Sequence, residues 1–292
     1  ANAFSQGISQ AKWQELTRDE TVPLTNKVIG GLYAPGSTFK VAVGLASLEG
    51  NHTTPAHTVS CTGAIDLGNH RFHCWKRGGH GTLDMVGALR ESCDDYFYDL
   101  ARRVGIDGIA AMARRLGIGA TTGLDMPGER NGLMPDRLWK EATHHENWQP
   151  GDTLNVSIGQ GDVQTTPLQL AVMLARIVNG GYEVVPHLTR EIEGVAEENT
   201  TMRDLGFDRA NLAVIAAGMN AVVNDRRGTG FTSRIETEGQ QMGGKTGTSQ
   251  VRRISMAERA SGVVRNEDRP WLYRDHALFI GYAPVQDPRY VV

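Results

Sequence analysis

Three short stretches put hydroxyls, amines and a carboxylate at spacings that acyl-transfer chemistry can use. In "YAPGSTFK", residues 33–40, Ser37 is followed three positions later by Lys40. On a helix that spacing shares one face, so the amine reaches the hydroxyl. A helix N-terminus adds a positive field that favours an alkoxide and a developing oxyanion. Alone, the pattern reads more simply as a helix start, with Ser37 as cap and Lys40 in water. "ESCDDYF" adds Ser92 and Asp94, and "GGKTGTS" adds Lys245, Thr246, Gly247 and Thr248 on a predicted strand. Gly247 would let a substrate backbone approach closely, and Lys245 would bring a fixed cation. Each has a bland reading too: a polar tripeptide, and a strand with an edge glycine.

The elements that must position these groups follow from hydrophobic period and punctuation. "STFKVAVGLASLEGN" is a helix from Ser37 stopped by Gly50. "LDMVGALRES" and "DYFYDLARRVGIDGIAAMARRLG" are helical, with Gly105 dividing the second into two helices. Residues 118–164 read as loop-rich. "TTPLQLAVMLARIVNGG" is a helix capped by Thr165 or Thr166, with Pro167 in its first turn and Gly180 at its end. "NLAVIAAGMNAVVN" is another helix, and "GGKTGTSQV" and "HALFIGYAP" are strands. Helices first and strands late predict an α/β domain with a mostly antiparallel sheet. The last strand breaks off as it begins, which predicts a truncated C-terminal strand. The chain of 292 residues is 40 % apolar and 22 % charged, an ordinary globular composition. Its net charge of −3 gives no reason to expect nucleic acid as a partner, and no apolar run approaches a membrane span.

Taken in order, the three stretches match the S-x-x-K, S-x-[ND], K-T-G signature of penicillin-binding proteins and serine β-lactamases. The match continues through "PGSTFK", "WKRGGHG", "SCDDYFYDLA", "IGQGDVQTTPLQLA" and "GKTGT". From Asn26 to Pro284 the chain resembles the elongation-type class B penicillin-binding proteins, the penicillin-binding protein 2 group. The resemblance implies an α/β fold of the α+β type: an antiparallel five-stranded sheet flanked by helices, plus an all-helical subdomain. It makes residues 1–292 one transpeptidase domain, with membrane anchor and pedestal domain outside it. It implies a D,D-transpeptidase that cross-links D-Ala-D-Ala stem peptides during elongation and is inhibited by β-lactams. Ser37 would be the nucleophile and Lys40 the base, neutral because burial beside Lys245 lowers a lysine pKa. Ser92 would relay the proton to the leaving amine. Lys245, Thr246 and Thr248 would hold the substrate carboxylate, and the N–H groups of Ser37 and Thr248 would form the oxyanion hole. Asp94 stands where the wider family has Asn, as in elongation-type members; an ionised carboxylate donates no hydrogen bond. No cofactor is implied for catalysis.

Cys61, Cys74 and Cys93 are the only cysteines, and with His80 they read C-x12-C-x5-H-x12-C. Three thiolates and an imidazole would close a tetrahedral structural zinc site that pins the Ser92–Asp94 loop. A 61–74 disulfide with a buried free Cys93, or three unlinked thiols, are the alternatives. His52, His57, His70 and His73 are further, weaker ligand candidates.

Other features get plainer readings. Gly159-Gln160-Gly161 is a tight turn or a family feature, and Asp152 and Asp162 are solvated carboxylates. The Arg-rich stretch 252–274 is a solvated connection or a flap over the groove. Hydrolysis, by a β-lactamase or D,D-carboxypeptidase, and a non-catalytic β-lactam sensor are the competing functions; no glutamate motif for deacylation is evident. By resemblance, the compartment is the periplasmic face of the bacterial inner membrane, and the partners are the elongation machinery, including a membrane glycosyltransferase.

Overall fold

A computed structural model describes residues 2–5, 7–196, 202–251, 258, 262 and 264–292. A single turn of 3-10 helix, Gly36–Phe39, runs into helix α1, Lys40–Glu49. Every residue from Lys40 to Leu48 is buried. A helix apolar on all sides belongs in a core, and α1 lies against α3 (Asp94–Arg115) and α7 (Arg209–Asn224). Helix α2, Met85–Arg90, packs on α7 and ends at the second motif. Gly105, at φ 72°, breaks α3 where the sequence divides it.

Two helices occupy the stretch read as loop-rich: α4, Arg137–His144, and α5, Pro150–Ser157. The signal for α5 was present in Pro150 at its first turn and Asp152 two positions later. Asp152 closes a capping box with Gln149 and pairs with Lys140 Nζ at 2.6 Å, so it is not a merely solvated carboxylate. Helix α6, Pro167–Val178, has the predicted signals: Thr166 caps it, and Gln169 closes the box.

Strands β1, Val59–Cys61, and β4, Gly81–Leu83, pair antiparallel. Between them β2, Ala64–Leu67, and β3, His70–His73, form a projecting hairpin. The main sheet is antiparallel, in the order β5 (Gly243–Ser249), β6 (His276–Ala283), β7 (Tyr290–Val291). Helices α6 and α7 flank it. The described sheet has three strands rather than five. The described residues ahead of Ser37 form turns and short helices, among them Gln10–Arg18 and Lys27–Gly30, and contribute no strand to this sheet. Much of the Arg-rich stretch, 252–257, 259–261 and 263, lies outside the described residues, and with it the flap. Among the described residues no helix is long and apolar enough to cross a membrane.

Candidate active site

A cleft of about 2170 Å³ runs between the outer edge of β5, the turn before α1 and the β2–β3 hairpin; Ser37, Ser92 and Asp94 line it together with Thr246, Gly247 and Thr248. Alternation along β5 explains the two threonines. Lys245, Gly247 and Ser249 face inward, while Thr246 and Thr248 face the cleft. Ser37 does not cap its helix. Its hydroxyl makes no hydrogen bond among the described residues, and it is the neighbouring Thr38 that donates to Pro35 O, at 2.7 Å.

Glycines let that turn be gripped from two sides. Gly36 N–H donates to Gly159 O at 2.8 Å, and a Cβ on Gly159, at φ 69°, would overlap the Gly36 carbonyl. On the other side a Cβ on Gly247 would meet Thr38 Cγ2 at 2.9 Å and Pro35 O at 3.2 Å. The space that Gly247 leaves open is therefore filled by the Pro35–Thr38 turn and not by a substrate backbone. Gln160 completes the clamp, donating from Nε2 to Thr248 O at 2.9 Å. That carbonyl is free because residue 248 turns its peptide edge away from β6, so its N–H lies on the cleft edge as well.

Ser92 links the two buried amines. Lys40 Nζ donates to Ser92 O at 2.9 Å, to Ser92 Oγ at 3.3 Å and to Asp94 Oδ1 at 2.6 Å. Lys245 Nζ donates to Ser92 Oγ at 2.9 Å and to Thr246 O at 3.0 Å. Neither lysine has any exposed surface. The expected division of labour is thus altered. Lys40 lies against a carboxylate, whereas burial, and then the Lys40 charge, push the Lys245 amine well below the ordinary lysine range. Lys245 is an inward amine bonded to Ser92, not an exposed cation on the cleft wall.

The backbone that presents Ser92 is strained. Ser92 N–H bonds Leu89 O and Cys93 N–H bonds Ala88 O, the paired closure of a Schellman motif. The residue at its left-handed position is usually glycine; here it is Ser92, at φ 55°. For an L residue that conformation costs roughly 1–2 kcal/mol. The second motif is therefore a helix C-terminus followed at once by the N-terminus of α3, where Asp94 favours the helix dipole.

The cysteine cluster underlies this junction. Cys61, Cys74, His80 and Cys93 are all buried, and their ligand atoms lie within 4.8 Å of one another. His80 Nδ1 is 3.4 Å from Cys61 Sγ and 3.5 Å from Cys74 Sγ. All three cysteines are unbridged, so the 61–74 disulfide is not formed. Cys93 donates to Cys74, which pulls Cys74 down to about 6 and pushes Cys93 up. Burial pushes Cys61 up to about 11. Asp94 N–H points at Cys74 Sγ, 3.4 Å away, joining the cluster to the motif. The other histidines stay apart; His57, for example, pairs with Asp99 at 2.8 Å.

Trp75, Gln160 and Thr229 also line the cleft; the sequence reading names Gln160 only within a turn and the other two not at all. Thr229 lies 2.6 Å, hydroxyl to hydroxyl, from Thr246. Only the quoted "WKRGGHG" and "IGQGDVQ" stretches pointed toward the first two.

The "Penicillin binding protein transpeptidase domain" family matches residues 3–292. Peptidoglycan D,D-transpeptidase MrdA of Acinetobacter baumannii is 35 % identical over 300 residues, covering 100 % of this chain and 43 % of that protein. MrdA of Escherichia coli is 32 % identical over 300 residues, covering 100 % and 46 %. The chain thus spans less than half the length of these relatives. Penicillin-binding protein 2 of Pseudomonas aeruginosa, solved in complex with WCK 5153, superposes with a TM-score of 0.82 at 40 % identity, covering 97 % of this chain and 58 % of that one. Penicillin-binding protein 2 of Helicobacter pylori, solved in complex with MreC, gives 0.85 at 35 % identity, covering 99 % and 50 %. A family match along almost the whole length, with these likenesses in sequence and fold, shows that the chain belongs to the penicillin-binding protein transpeptidase family.

Proposed function

We propose that residues 1–292 act as one peptidoglycan D,D-transpeptidase unit through a serine acyl-enzyme on Ser37. The observation that carries this reading is the Ser92 hydroxyl, held 2.9 Å from Lys245 Nζ and 3.3 Å from Lys40 Nζ, in the cleft that Ser37 also lines. The chain Lys40–Ser92–Lys245 lets one proton move from the first amine to the second. Lys40, once neutral, takes the proton of Ser37 as its oxygen attacks the carbonyl of a D-Ala-D-Ala stem peptide. The amide C–N bond then breaks, and the terminal D-Ala leaves with a proton delivered through Ser92. The amine of a second stem peptide attacks the ester, Ser37 regains its proton, and a new amide forms the cross-link. One amide replaces another, so the exchange calls for no catalytic cofactor. The Thr246 and Thr248 hydroxyls receive the substrate carboxylate, and the Ser37 and Thr248 N–H groups receive the oxyanion.

Intact-mass analysis and peptide mapping after incubation with a penicillin test the reading. A single lasting adduct on Ser37 is expected; no adduct, or one on another residue, overturns it. Release of hydrolysed penicillin within minutes supports a β-lactamase instead.

We propose further that Cys61, Cys74, His80 and Cys93 hold a structural zinc ion. Ligands at ~2.3 Å for sulfur and ~2.0–2.1 Å for nitrogen sit about 3.5 Å apart along a tetrahedral edge. The two sulfur–nitrogen distances, 3.4 and 3.5 Å, have that length. The metal would supply cross-linking of the β1–β4 region to the Ser92–Asp94 turn and no step of the reaction. Metal analysis with thiol counting should find one zinc per chain; a bridged Cys61–Cys74 pair without metal contradicts the proposal.

From family and substrate, we place the site at the periplasmic face of the inner membrane, within the elongation machinery. Relatives support this: one is solved with MreC, and another belongs to a peptidoglycan synthase complex that coordinates polymerization and crosslinking. A membrane glycosyltransferase is the partner such coordination calls for.

A further inference from the structure

We propose that Trp75 is a positioning residue that sets the conformation of Ser92; the inference rests on the acyl-transfer reading above. Its indole N–H is shared between Glu91 O, at 3.1 Å, and Ser92 O, at 3.0 Å. Those carbonyls belong to the two peptide planes on either side of the Ser92 Cα. Left-handed backbone turns both toward the same donor, so one N–H restrains φ and ψ of Ser92 together. An extended Ser92 would swing one carbonyl away and lose half of the shared bond. The restraint is placed where it is needed, because the residue at φ 55° is serine and not glycine.

Two further contacts tie Trp75 to the same motif. Its backbone N–H donates to Asp94 Oδ2 at 2.8 Å, opposite the oxygen that holds Lys40. Its ring meets His80 edge-on at a centroid distance of 5.2 Å. Ser92 O also accepts from Lys40 Nζ at 2.9 Å. A single carbonyl therefore receives both the amine of the first motif and the tryptophan. Trp75 is nonetheless 59 % exposed, far more than core packing requires of so large a ring. What it contributes is direction to Ser92 rather than buried area.

The test is the rate of acylation by a fluorescent penicillin, resolved into the initial binding constant and the acylation rate constant. Two variants remove the indole N–H while keeping an aromatic ring: Trp75→Phe, and replacement of Trp75 by benzothienylalanine, which has sulfur in place of N–H and preserves the shape. Both should lower the acylation rate constant about fivefold, the worth of one hydrogen bond, with the binding constant and metal content unchanged. A purely structural role would lower melting temperature or metal content without this split. An unchanged acylation rate constant in the benzothienylalanine protein overturns the inference, as does an effect confined to the binding constant. A wild-type protein that takes no label removes the acyl-transfer reading itself, and this inference with it.

Discussion

The turns that present Ser37 and Ser92 share a backbone conformation and solve it differently. Gly36 lies at φ 54° and Ser92 at φ 55°. In the first turn the left-handed residue is glycine, and the hydroxyl proposed as nucleophile is carried by the next residue in ordinary helical geometry. In the second the hydroxyl belongs to the left-handed residue itself. The first turn is held by close backbone approach, from Gly159 on one side and β5 on the other. The second is held by donors from outside, Lys40 Nζ and the Trp75 indole, that converge on its carbonyl. A glycine-built turn depends on space being left empty, and a serine-built turn depends on bonds being made.

Substitutions at the two turns should therefore fail in opposite ways. The largest effect belongs to Gly159→Ala. The new Cβ meets backbone and cannot rotate away, so thermal or denaturant unfolding should show a loss of about 3 kcal/mol or more. A stable, fully acylating Gly159→Ala protein would remove the close-approach account of the first turn. A smaller effect separates strain from bonding at the second. Ser92→Ala and Ser92→Gly both lose the hydroxyl, but only glycine relieves the left-handed Cβ. Ser92→Gly should be more stable than Ser92→Ala by about 1 kcal/mol, with acylation strongly slowed in both; equal stabilities would mean the strain is absent.

The smallest effect is a slope with pH. Lys245 titrates in the folded chain well below 10.5, so between that lower value and 10.5 the unfolded chain carries more protons. Stability from this group therefore rises with pH through the window and levels off above it. Unfolding curves of wild type and Lys245→Met should show a difference that shifts in favour of the wild type as pH rises. A difference independent of pH would mean that the amine is not shifted by burial.

How legible this was in the sequence depends on how local each cause is. Helix α6 could be read residue by residue, because Thr166, Pro167 and Gln169 all act within one turn. The three motifs could be listed from their spacing, and the C-x12-C-x5-H-x12-C pattern named the four residues that converge. Helix α5 is hard to read although Pro150 and Asp152 mark its start, since its short apolar run gives little periodicity. The part that spacing could not show was long-range. Lys40 meets Ser92 and Asp94 across more than fifty positions, and Lys245 meets Ser92 across 153. The expected Ser37–Lys40 pairing follows from helix geometry alone and takes no account of Ser92 and Asp94, which the Lys40 amine bonds. Gly247 reads as open to substrate because nothing local shows that the turn at Pro35–Thr38 fills its missing side chain.

The central claim is that the Ser92 hydroxyl, set between two buried amines, serves the nucleophile at Ser37. Acylation of Ser92→Ala by a penicillin, followed by rate and by peptide mapping, tests it most directly. The account predicts a fall of about 100- to 1000-fold with the residual adduct still on Ser37; a wild-type rate, or label on another residue, would contradict it.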